Sequence, residues 1–217
     1  PTTQIHIPYL IVGGGISGLS AARQFHKKGI SDFLMLELES HLGGNSSNGE
    51  NKYSKFPLGA HYLPLPNFKD KELLQFLKEE KIILSYDAKG LPVFDELQLS
   101  FAPDERLFYK NNWQEGVVPK EGNSKDQDLE FQRFFKVMDA FREGKGKDGK
   151  YLFDIPLRLS SEDIQTRSLD KITMKEWFET NNFTAKPLFD YIDYCCKDDF
   201  GLGIHYVSAW AGIHYFA

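Results

Sequence analysis

The sequence contains very little cysteine. Among its 217 residues there are only two cysteines, and these are the neighbours Cys195 and Cys196. Adjacent cysteines rarely reach the geometry of an unstrained disulfide, and two cysteines without a paired histidine spacing do not form a zinc site. We therefore predict two buried structural thiols and no metal site.

The sequence also lacks a long apolar run and a basic segment. No stretch approaches the roughly 18 apolar residues of a membrane span. The 26 lysines and arginines are dispersed, and the net charge of −5 argues against a nucleic-acid partner. With 41% hydrophobic and 26% charged residues, the composition is that of an ordinary globular protein. We predict a small-molecule substrate and no transmembrane segment, and the sequence leaves the oligomeric state open.

The first residues, "PTTQIHIP", have neither a signal-peptide layout nor an initiating methionine. We predict a cytoplasmic location, while an earlier targeting segment stays open as an alternative.

A strand–helix–strand pattern follows near the start of the chain. The apolar run Tyr9–Val12 predicts a buried strand, residues 16–28 an amphipathic helix, and residues 33–39, "FLMLELE", a second strand. Gly29 stands where a helix-ending glycine is expected. A βαβ unit of this length implies a right-handed crossover and a parallel sheet, so the fold class is α/β.

The loop between the first strand and the helix has the spacing G-x-G-x-x-G at Gly13, Gly15 and Gly18. In this pattern the first glycine allows a tight turn, the second lets a pyrophosphate approach the backbone, and the third lets helix and strand pack closely. The helix amides and dipole then face the anion. Glu37, near the end of the second strand, is placed to accept hydrogen bonds from ribose hydroxyls, which disfavours NADP. The pattern leaves NAD and FAD open.

The segment after Glu37, "LELESHLGGNSSNG", adds a second glycine pair at Gly43 and Gly44. Here the chain resembles the flavin-dependent amine oxidase superfamily, which includes phytoene desaturases and protoporphyrinogen oxidases. The resemblance implies FAD as the cofactor and a close approach of the glycine pair to it. Asn45 replaces the usual arginine, and Glu39 stands where arginine is common, so the polar contacts to the cofactor are expected to differ.

A third segment, "FPLGAHYLPLP" at residues 56–66, resembles the strand of that superfamily that ends beside the isoalloxazine ring. The resemblance implies that Gly59, Ala60, His61 and Tyr62 lie near the flavin. His61 is either a structural histidine or an acid–base group, and Tyr62 is either a flavin neighbour or part of the core. The full set of predicted cofactor-binding residues is Gly13, Gly15, Ile16, Ser17, Gly18, Glu37, Leu38, Gly43, Gly44, Asn45, Ser46, Gly59, Ala60, His61 and Tyr62.

We predict a domain boundary after residue 66, so that residues 1–66 form a Rossmann-like FAD-binding segment. Residues 67–217 are then a portion of an inserted α+β, largely helical substrate domain. The pattern predicts a helix at 70–81, a hairpin formed by "ELQLSF" and "RLFY" around the turn "APDE", and a helix at 126–143. The apolar stripe of that last helix consists of Phe131, Phe134, Phe135, Met138 and Phe141.

The last fifty residues are predicted to be helical. Thr173 and Glu176 form a capping-box pattern, and Thr184 is expected to cap a further helix with Pro187 in its first turn. The final segment "YVSAWAGIHYFA" is apolar nearly all round and is expected to be buried. Four aromatic residues are either a substrate-cavity lining or, as their spacing favours, ordinary core: Trp113, Phe134, Phe141 and Trp210.

These features predict an FAD-dependent oxidoreductase of the amine oxidase type that oxidises an amine or a carbon–carbon bond by hydride transfer to flavin. The alternatives are an NAD-dependent dehydrogenase and a flavin-binding module without turnover. Members of the family run to roughly twice this length on domain-size grounds. No glycine–aspartate element after Leu202 matches their second FAD-binding segment. We therefore expect this chain to be an N-terminal portion of a longer oxidoreductase, and the sequence identifies no catalytic residue.

Overall fold

The computed structural model describes residues 4–59, 63–99 and 105–217. The chain divides into two compact units, Pro1–Leu65 and Pro66–Ala217. Each unit is described separately below.

The first unit begins with the predicted βαβ arrangement. Strand β1 is Tyr9–Val12, helix α1 is Ile16–Lys27, and strand β2 is Phe33–Leu36. β1 and β2 pair in parallel, with Tyr9 opposite Phe33 and Val12 opposite Leu36. The second strand is shorter than predicted because the chain turns at Glu37, whose carboxylate accepts the next two backbone amides. Gly29 has the left-handed φ of +71° that the sequence predicted for the end of the helix.

One aromatic side chain attaches α1 to the two-stranded sheet. The ring of Phe25 lies 4.9 Å from that of Tyr9 and 5.5 Å from that of Phe33, measured between centroids. The other side chains of this unit are poorly buried. Among its described residues only Gly14 is buried, and Val12 is 79% exposed. The βαβ unit is therefore held by its strand pairing and one aromatic cluster.

A hairpin completes the first unit. Strand β3, Ser47–Glu50, pairs antiparallel with strand β4, Lys55–Leu58. A side chain at Gly49 would collide with the ring of Phe56, its partner across the ladder, which explains a glycine inside the strand. Gly59 follows β4 with a φ of +101°. Ala60, His61 and Tyr62 lie outside the described residues.

The second unit starts with a helix and a hairpin. Helix α2 is Lys71–Glu79, and the Asp70 side chain caps it by accepting from the Leu73 amide. Strand β5, Ile83–Tyr86, pairs antiparallel with strand β6, Pro92–Phe94. A small apolar cluster consists of Leu74, Leu77 and Ile83.

The next hairpin differs from the prediction. Within "ELQLSF", Glu96–Gln98 forms a 3-10 helix capped by Asp95. Ser100, Phe101 and residues 102–104 of the predicted turn "APDE" lie outside the described residues. Strand β7, Arg106–Tyr109, pairs antiparallel with strand β8, Asn112–Glu115. The two linking residues, Lys110 and Asn111, have φ values of +49° and +65°, which gives the two-residue turn that matches strand twist. Sequence alternation alone did not show that this Lys-Asn pair is the turn.

The rest of the unit is helical. Its helices are α3 Lys125–Glu143, α4 Ile164–Arg167, α5 Met174–Thr180, α6 Lys186–Phe200 and α7 Ala209–Phe216, with 3-10 turns at Leu157–Leu159 and Ser168–Lys171. The predicted capping box between Thr173 and Glu176 is confirmed, and a second one joins Ser124 and Gln127. Among the described residues no helix combines the length and the apolar character that a membrane span requires.

The main core lies among these helices. Phe134, Phe178, Leu188, Ile192 and Ile213 are completely buried. On α3 the predicted stripe is confirmed: Phe131, Phe134 and Met138 are buried, while Phe135 and Phe141 are partly buried against the same cluster. Cys195 and Cys196 are free and buried as predicted. Burial raises the pKa of Cys195 to about 11 and that of Cys196 to about 12, so both remain protonated thiols at neutral pH.

The cap of α6 also differs from the prediction. Pro187 lies in the first turn, as expected, but the residue before the helix is Ala185, and Thr184 stands one position earlier. The Thr184 hydroxyl donates to Glu130 Oε1 at 2.6 Å. Glu130 Oε2 accepts from the backbone amides of Thr184 at 2.7 Å and Ala185 at 2.9 Å. A side chain from α3 therefore performs the capping that the sequence assigned to a local threonine.

Candidate dinucleotide site

The loop from β1 into α1 is a tight glycine turn. Gly13 has a φ of +94°, a conformation that suits glycine, and its amide donates to the carbonyl oxygen of Leu36 at 2.7 Å. A side chain at Gly18 would overlap the carbonyl oxygen of Gly13 and would lie 3.2 Å from Ile11 Cγ2. Gly13 therefore permits the turn, and Gly18 permits the first turn of the helix to pack against it.

The N-terminus of α1 carries no side-chain cap. Gly15 is the N-cap, with φ −74° and ψ −172°, and its carbonyl accepts from the Leu19 amide at 2.9 Å. No acidic residue lies in the first turn, and Ile16 and Ser17 are exposed. A helix start of this kind leaves amide hydrogens and the positive end of the helix dipole open to an anion.

Glu37 lies beside this turn and is held by three backbone amides. Its Oε2 accepts from Gly14 at 2.5 Å, and its Oε1 accepts from Leu38 at 2.7 Å and Glu39 at 3.0 Å. The hydrogen bonds from the amides of Glu39, Gly14 and Leu38 lower the pKa of Glu37 below its ordinary value of 4.5. Glu37 is therefore an oriented, ionised carboxylate at neutral pH.

The second glycine pair packs onto the first turn. Gly43 has a φ of +122° and donates from its amide to the carbonyl oxygen of Gly14 at 2.9 Å. Gly44 has a φ of +59°, and a side chain there would lie 3.1 Å from Gly15 Cα. The Ser46 amide closes the turn by donating to Gly43 at 3.0 Å. The two glycine turns thus meet backbone to backbone.

The structure brings most of the predicted residues together in one small region. Gly13, Gly15, Gly18, Glu37 and the pair Gly43–Gly44 belong to the contacts described above. Four further predicted residues on these two turns are exposed: Ile16, Ser17, Asn45 and Ser46. The amide of Leu38 donates to Glu37, while the Leu38 side chain is 97% exposed. Gly59 lies at the end of β4, in the neighbouring hairpin.

Two residues of this region were not singled out in the sequence. Gly14 falls at an unspecified position of the G-x-G-x-x-G pattern, yet it is buried, and both its N–H and its carbonyl oxygen are hydrogen-bonded. The side chain of Leu42 occupies the space next to its Cα. The only signal in the sequence was the third consecutive glycine, since the motif itself requires just two of the three.

The four aromatic residues named as cavity or core do not form one cavity. Phe134 is completely buried in the core, and the ring of Phe141 contacts that of Phe153 at 5.6 Å. Trp210 stacks on His214 at 4.9 Å. Trp113 is 66% exposed on β8. In the described parts of the chain no group of three or more His, Cys, Asp or Glu side chains is arranged to hold a metal ion.

Known proteins share parts of this sequence. A model described as an NAD(P)-binding Rossmann-like domain matches residues 11–79, a segment that contains both glycine turns. The carotenoid 3,4-desaturase of Haloarcula japonica is 27% identical over 82% of this chain and 32% of its own length. The flavin-containing amine oxidase of Oncorhynchus mykiss is 28% identical over 52% of this chain and 23% of its own length. The chain is thus similar to flavin-containing amine oxidases and to a carotenoid desaturase, in agreement with the resemblance read from its glycine motifs.

Solved structures share the fold of this chain. The structure of a putrescine oxidase bound to putrescine superposes with a TM-score of 0.59 at 15% identity, over 96% of this chain and 41% of that one. A fatty acid isomerase from P. acnes that produces CLA gives a TM-score of 0.53 at 16% identity, over 99% of this chain and 43% of that one. The chain therefore spans less than half the length of the proteins it matches.

Proposed function

We propose that this chain provides the adenosine diphosphate part of an FAD site in an oxidoreductase. The observation that carries the proposal is the glycine turn at residues 13–15, which leads into an uncapped helix start with the ionised Glu37 beside it. These two features supply donors for a pyrophosphate and an acceptor for a ribose hydroxyl.

The pyrophosphate would be held by backbone groups. We assign it to the turn at Gly13 and Gly15 and to the first helical amides, those of Ile16, Ser17 and Gly18. The missing Cβ atoms leave room for a close approach of phosphate oxygens to the backbone. The start of α1 differs from those of α2, α3, α5 and α7, each of which is capped by its own Asp, Ser or Thr side chain.

The ribose would be held by Glu37. An ionised carboxylate accepts hydrogen bonds from ribose hydroxyls and repels a 2′-phosphate, so the site favours an unphosphorylated ribose. The backbone of Leu38, which follows Glu37, would then lie next to the ribose.

Two observations favour FAD over NAD. The second glycine pair, Gly43 and Gly44, packs directly on the first glycine turn. The next residues, Asn45 and Ser46, therefore begin beside that turn. The relative from Oncorhynchus mykiss is a flavin-containing amine oxidase by name. We further assign Gly59, Ala60, His61 and Tyr62 to the neighbourhood of the isoalloxazine ring, as the resemblance of this segment implies.

Flavin, when bound, accepts a hydride from a substrate carbon. The relatives are named for amines, polyamines and carotenoids, which supports a substrate with an oxidisable amine or carbon–carbon bond. In this proposal residues 1–66 hold the cofactor, and residues 67–217 form a portion of the substrate domain.

The direct test measures flavin retention. We expect the purified chain, after incubation with FAD and removal of free ligand, to keep a bound flavin spectrum. Replacing both Gly13 and Gly15 by alanine should abolish this retention, because it strains a positive-φ position and fills the space that phosphate oxygens need. Gly90→Ala is the matched control, since Gly90 has a φ of +77° in a turn of the second unit.

The ligand preference separates the alternatives. Binding of NAD with no binding of FAD would contradict the flavin assignment and favour a dehydrogenase. Retained flavin in the double variant would contradict the site assignment. For the complete enzyme, anaerobic bleaching of the flavin by an amine or a polyene identifies the substrate class, and a flavin that no such substrate bleaches would indicate a binding module.

A further inference from the structure

The backbone of Gly14 is hydrogen-bonded on both sides. Its N–H donates to Glu37 Oε2 at 2.5 Å, and its carbonyl oxygen accepts from the Gly43 amide at 2.9 Å. Gly14 is also the one buried residue among the described residues of the first unit. The backbone of a single residue therefore joins the acidic residue after β2 to the second glycine turn.

The space around Gly14 is filled by two side chains. A Cβ atom at this position would overlap Cδ2 of Leu42 and would lie 3.0 Å from Oε2 of Glu37. The φ of Gly14 is not among the positive values of this chain, so the backbone itself would accept an alanine. An alanine at position 14 would therefore displace the side chain of Leu42 and crowd Oε2 of Glu37.

The bond to Gly14 also decides which part of the carboxylate remains available. A carboxylate offers about four acceptor positions. Oε1 of Glu37 already accepts two amides, those of Leu38 and Glu39, while Oε2 accepts only Gly14. The remaining acceptor position is thus on Oε2, and the Gly14 amide sets its direction.

We propose that Gly14 is a positioning residue that aims the free acceptor of Glu37 at the 2′-hydroxyl of the cofactor ribose. This role rests on the proposed function, because it assumes that an adenosine diphosphate group binds at the glycine turn. It assigns a purpose to a position that the G-x-G-x-x-G pattern leaves unspecified, and it names Leu42 as the side chain that an alanine there would displace.

The test compares ADP with 2′-deoxy-ADP by calorimetry on the 217-residue chain. Because a hydrogen bond to a charged group contributes about 1.5–3 kcal/mol, the unaltered chain should prefer ADP by about tenfold or more. Gly14→Ala should reduce this preference to nearly one, as should Glu37→Gln. Gly90→Ala, which also adds one methyl group to a glycine, should keep the full preference.

Two further measurements separate positioning from general damage to the turn. In Gly14→Ala, Leu42→Ala the overlap with Leu42 is removed, so a substantial part of the preference for ADP should return. In Gly14→Ala alone, the carboxyl pKa of Glu37, followed by ¹³C NMR, should rise towards its ordinary value because one of the three amide bonds is displaced.

The outcomes are distinguishable. If Gly14→Ala weakens ADP and 2′-deoxy-ADP equally and leaves the pKa of Glu37 unchanged, the positioning role is wrong while the proposed function stands. If the unaltered chain binds neither ADP nor FAD, both are wrong.

Discussion

At the scale of single residues, Glu37 shows how a local backbone arrangement sets the charge of a side chain. Three amide donors stabilise the ionised form more than the protonated form, so the pKa of Glu37 falls below 4.5. A carboxyl whose pKa is lower in the folded chain contributes its stability fully above the unfolded pKa. That contribution is lost as the pH falls through the lower, folded value.

The lowered pKa of Glu37 leads to a prediction for ligand binding. We expect the preference for ADP over 2′-deoxy-ADP to stay constant as the pH falls from neutrality towards 4.5 and to decrease only below it, through the depressed pKa of Glu37. The terminal phosphate titrates in this range, but it does so equally in both ligands and cancels in the ratio of their dissociation constants. Calorimetric titrations of both ligands, on a chain shown by circular dichroism to remain folded, measure the effect. Glu37→Gln should show little preference at neutral pH and no change in it over the same interval. A loss of preference with a midpoint above 4.5 in the unaltered chain would contradict the prediction.

At the scale of secondary-structure elements, α3 connects the end of α5 to the start of α6. Glu130 binds the amides of Thr184 and Ala185, as described above. One helical turn later, Arg133 donates to the carbonyl oxygens of Asn181 and Asn182, both at 2.8 Å, and its guanidinium lies 3.8 Å from the ring centre of Phe183. Glu130 and Arg133 therefore hydrogen-bond to the backbone of the turn that links the end of α5 to the start of α6.

We predict that Glu130→Ala lowers the free energy of unfolding by about 1 kcal/mol, the usual cost of a lost N-cap. Urea unfolding followed by far-ultraviolet circular dichroism provides the measurement, and Lys136→Ala, at an exposed position of the same helix, is the control. Burial alone would raise the pKa of Glu130, but the bonds from Thr184 and Ala185 outweigh it and the net shift is downward. The difference between variant and unaltered chain should therefore shrink as the pH falls through this lowered pKa. Equal unfolding midpoints at neutral pH would show that the contact adds no stability.

The elements also show what could be predicted from the sequence. The βαβ unit, α2, α3 and the capping box of α5 follow from short-range patterns, and their boundaries agree with the prediction within a few residues. The hairpin at "RLFY" was assigned the wrong partner, because alternation occurs on both sides of it and the turn at Lys110 and Asn111 carries no Gly signal. Thr184 was assigned a capping role that depends on Glu130, which lies 54 residues away.

At the scale of the whole molecule, apolar burial is unevenly distributed. The second unit contains a continuous aromatic and aliphatic core, whereas the first exposes Leu10, Val12 and Ile16 by half or more. Local stability follows the burial of apolar contacts, so the two units should open with different free energies.

Amide hydrogen exchange tests this difference. We predict that the amides of β1 and β2 exchange much faster than those of α3 and α6, whose helices contribute Phe134 and Ile192 to the core. At an ADP concentration of about 100 times its Kd, mass action should stabilise the first unit by up to about 2.7 kcal/mol. Exchange should then slow in β1 and β2 and stay unchanged in α3. Uniform protection without ligand, or an equal effect of ADP on both units, would contradict this prediction.

The sequence by itself determined the βαβ unit, helices α2 and α3 and the capping box of α5, since strands, glycine spacings, helix periodicity and caps are local patterns. It also predicted that the two cysteines are buried thiols, which the structure confirms. Only the tertiary structure decided how the two glycine turns meet, which amides hold Glu37, and which side chains surround Gly14. These features depend on contacts between residues that are distant in the chain, such as Gly14 with Glu37 and Gly43. A motif records which residues occur at which spacing, whereas the direction of a carboxylate is set by the atoms that surround it.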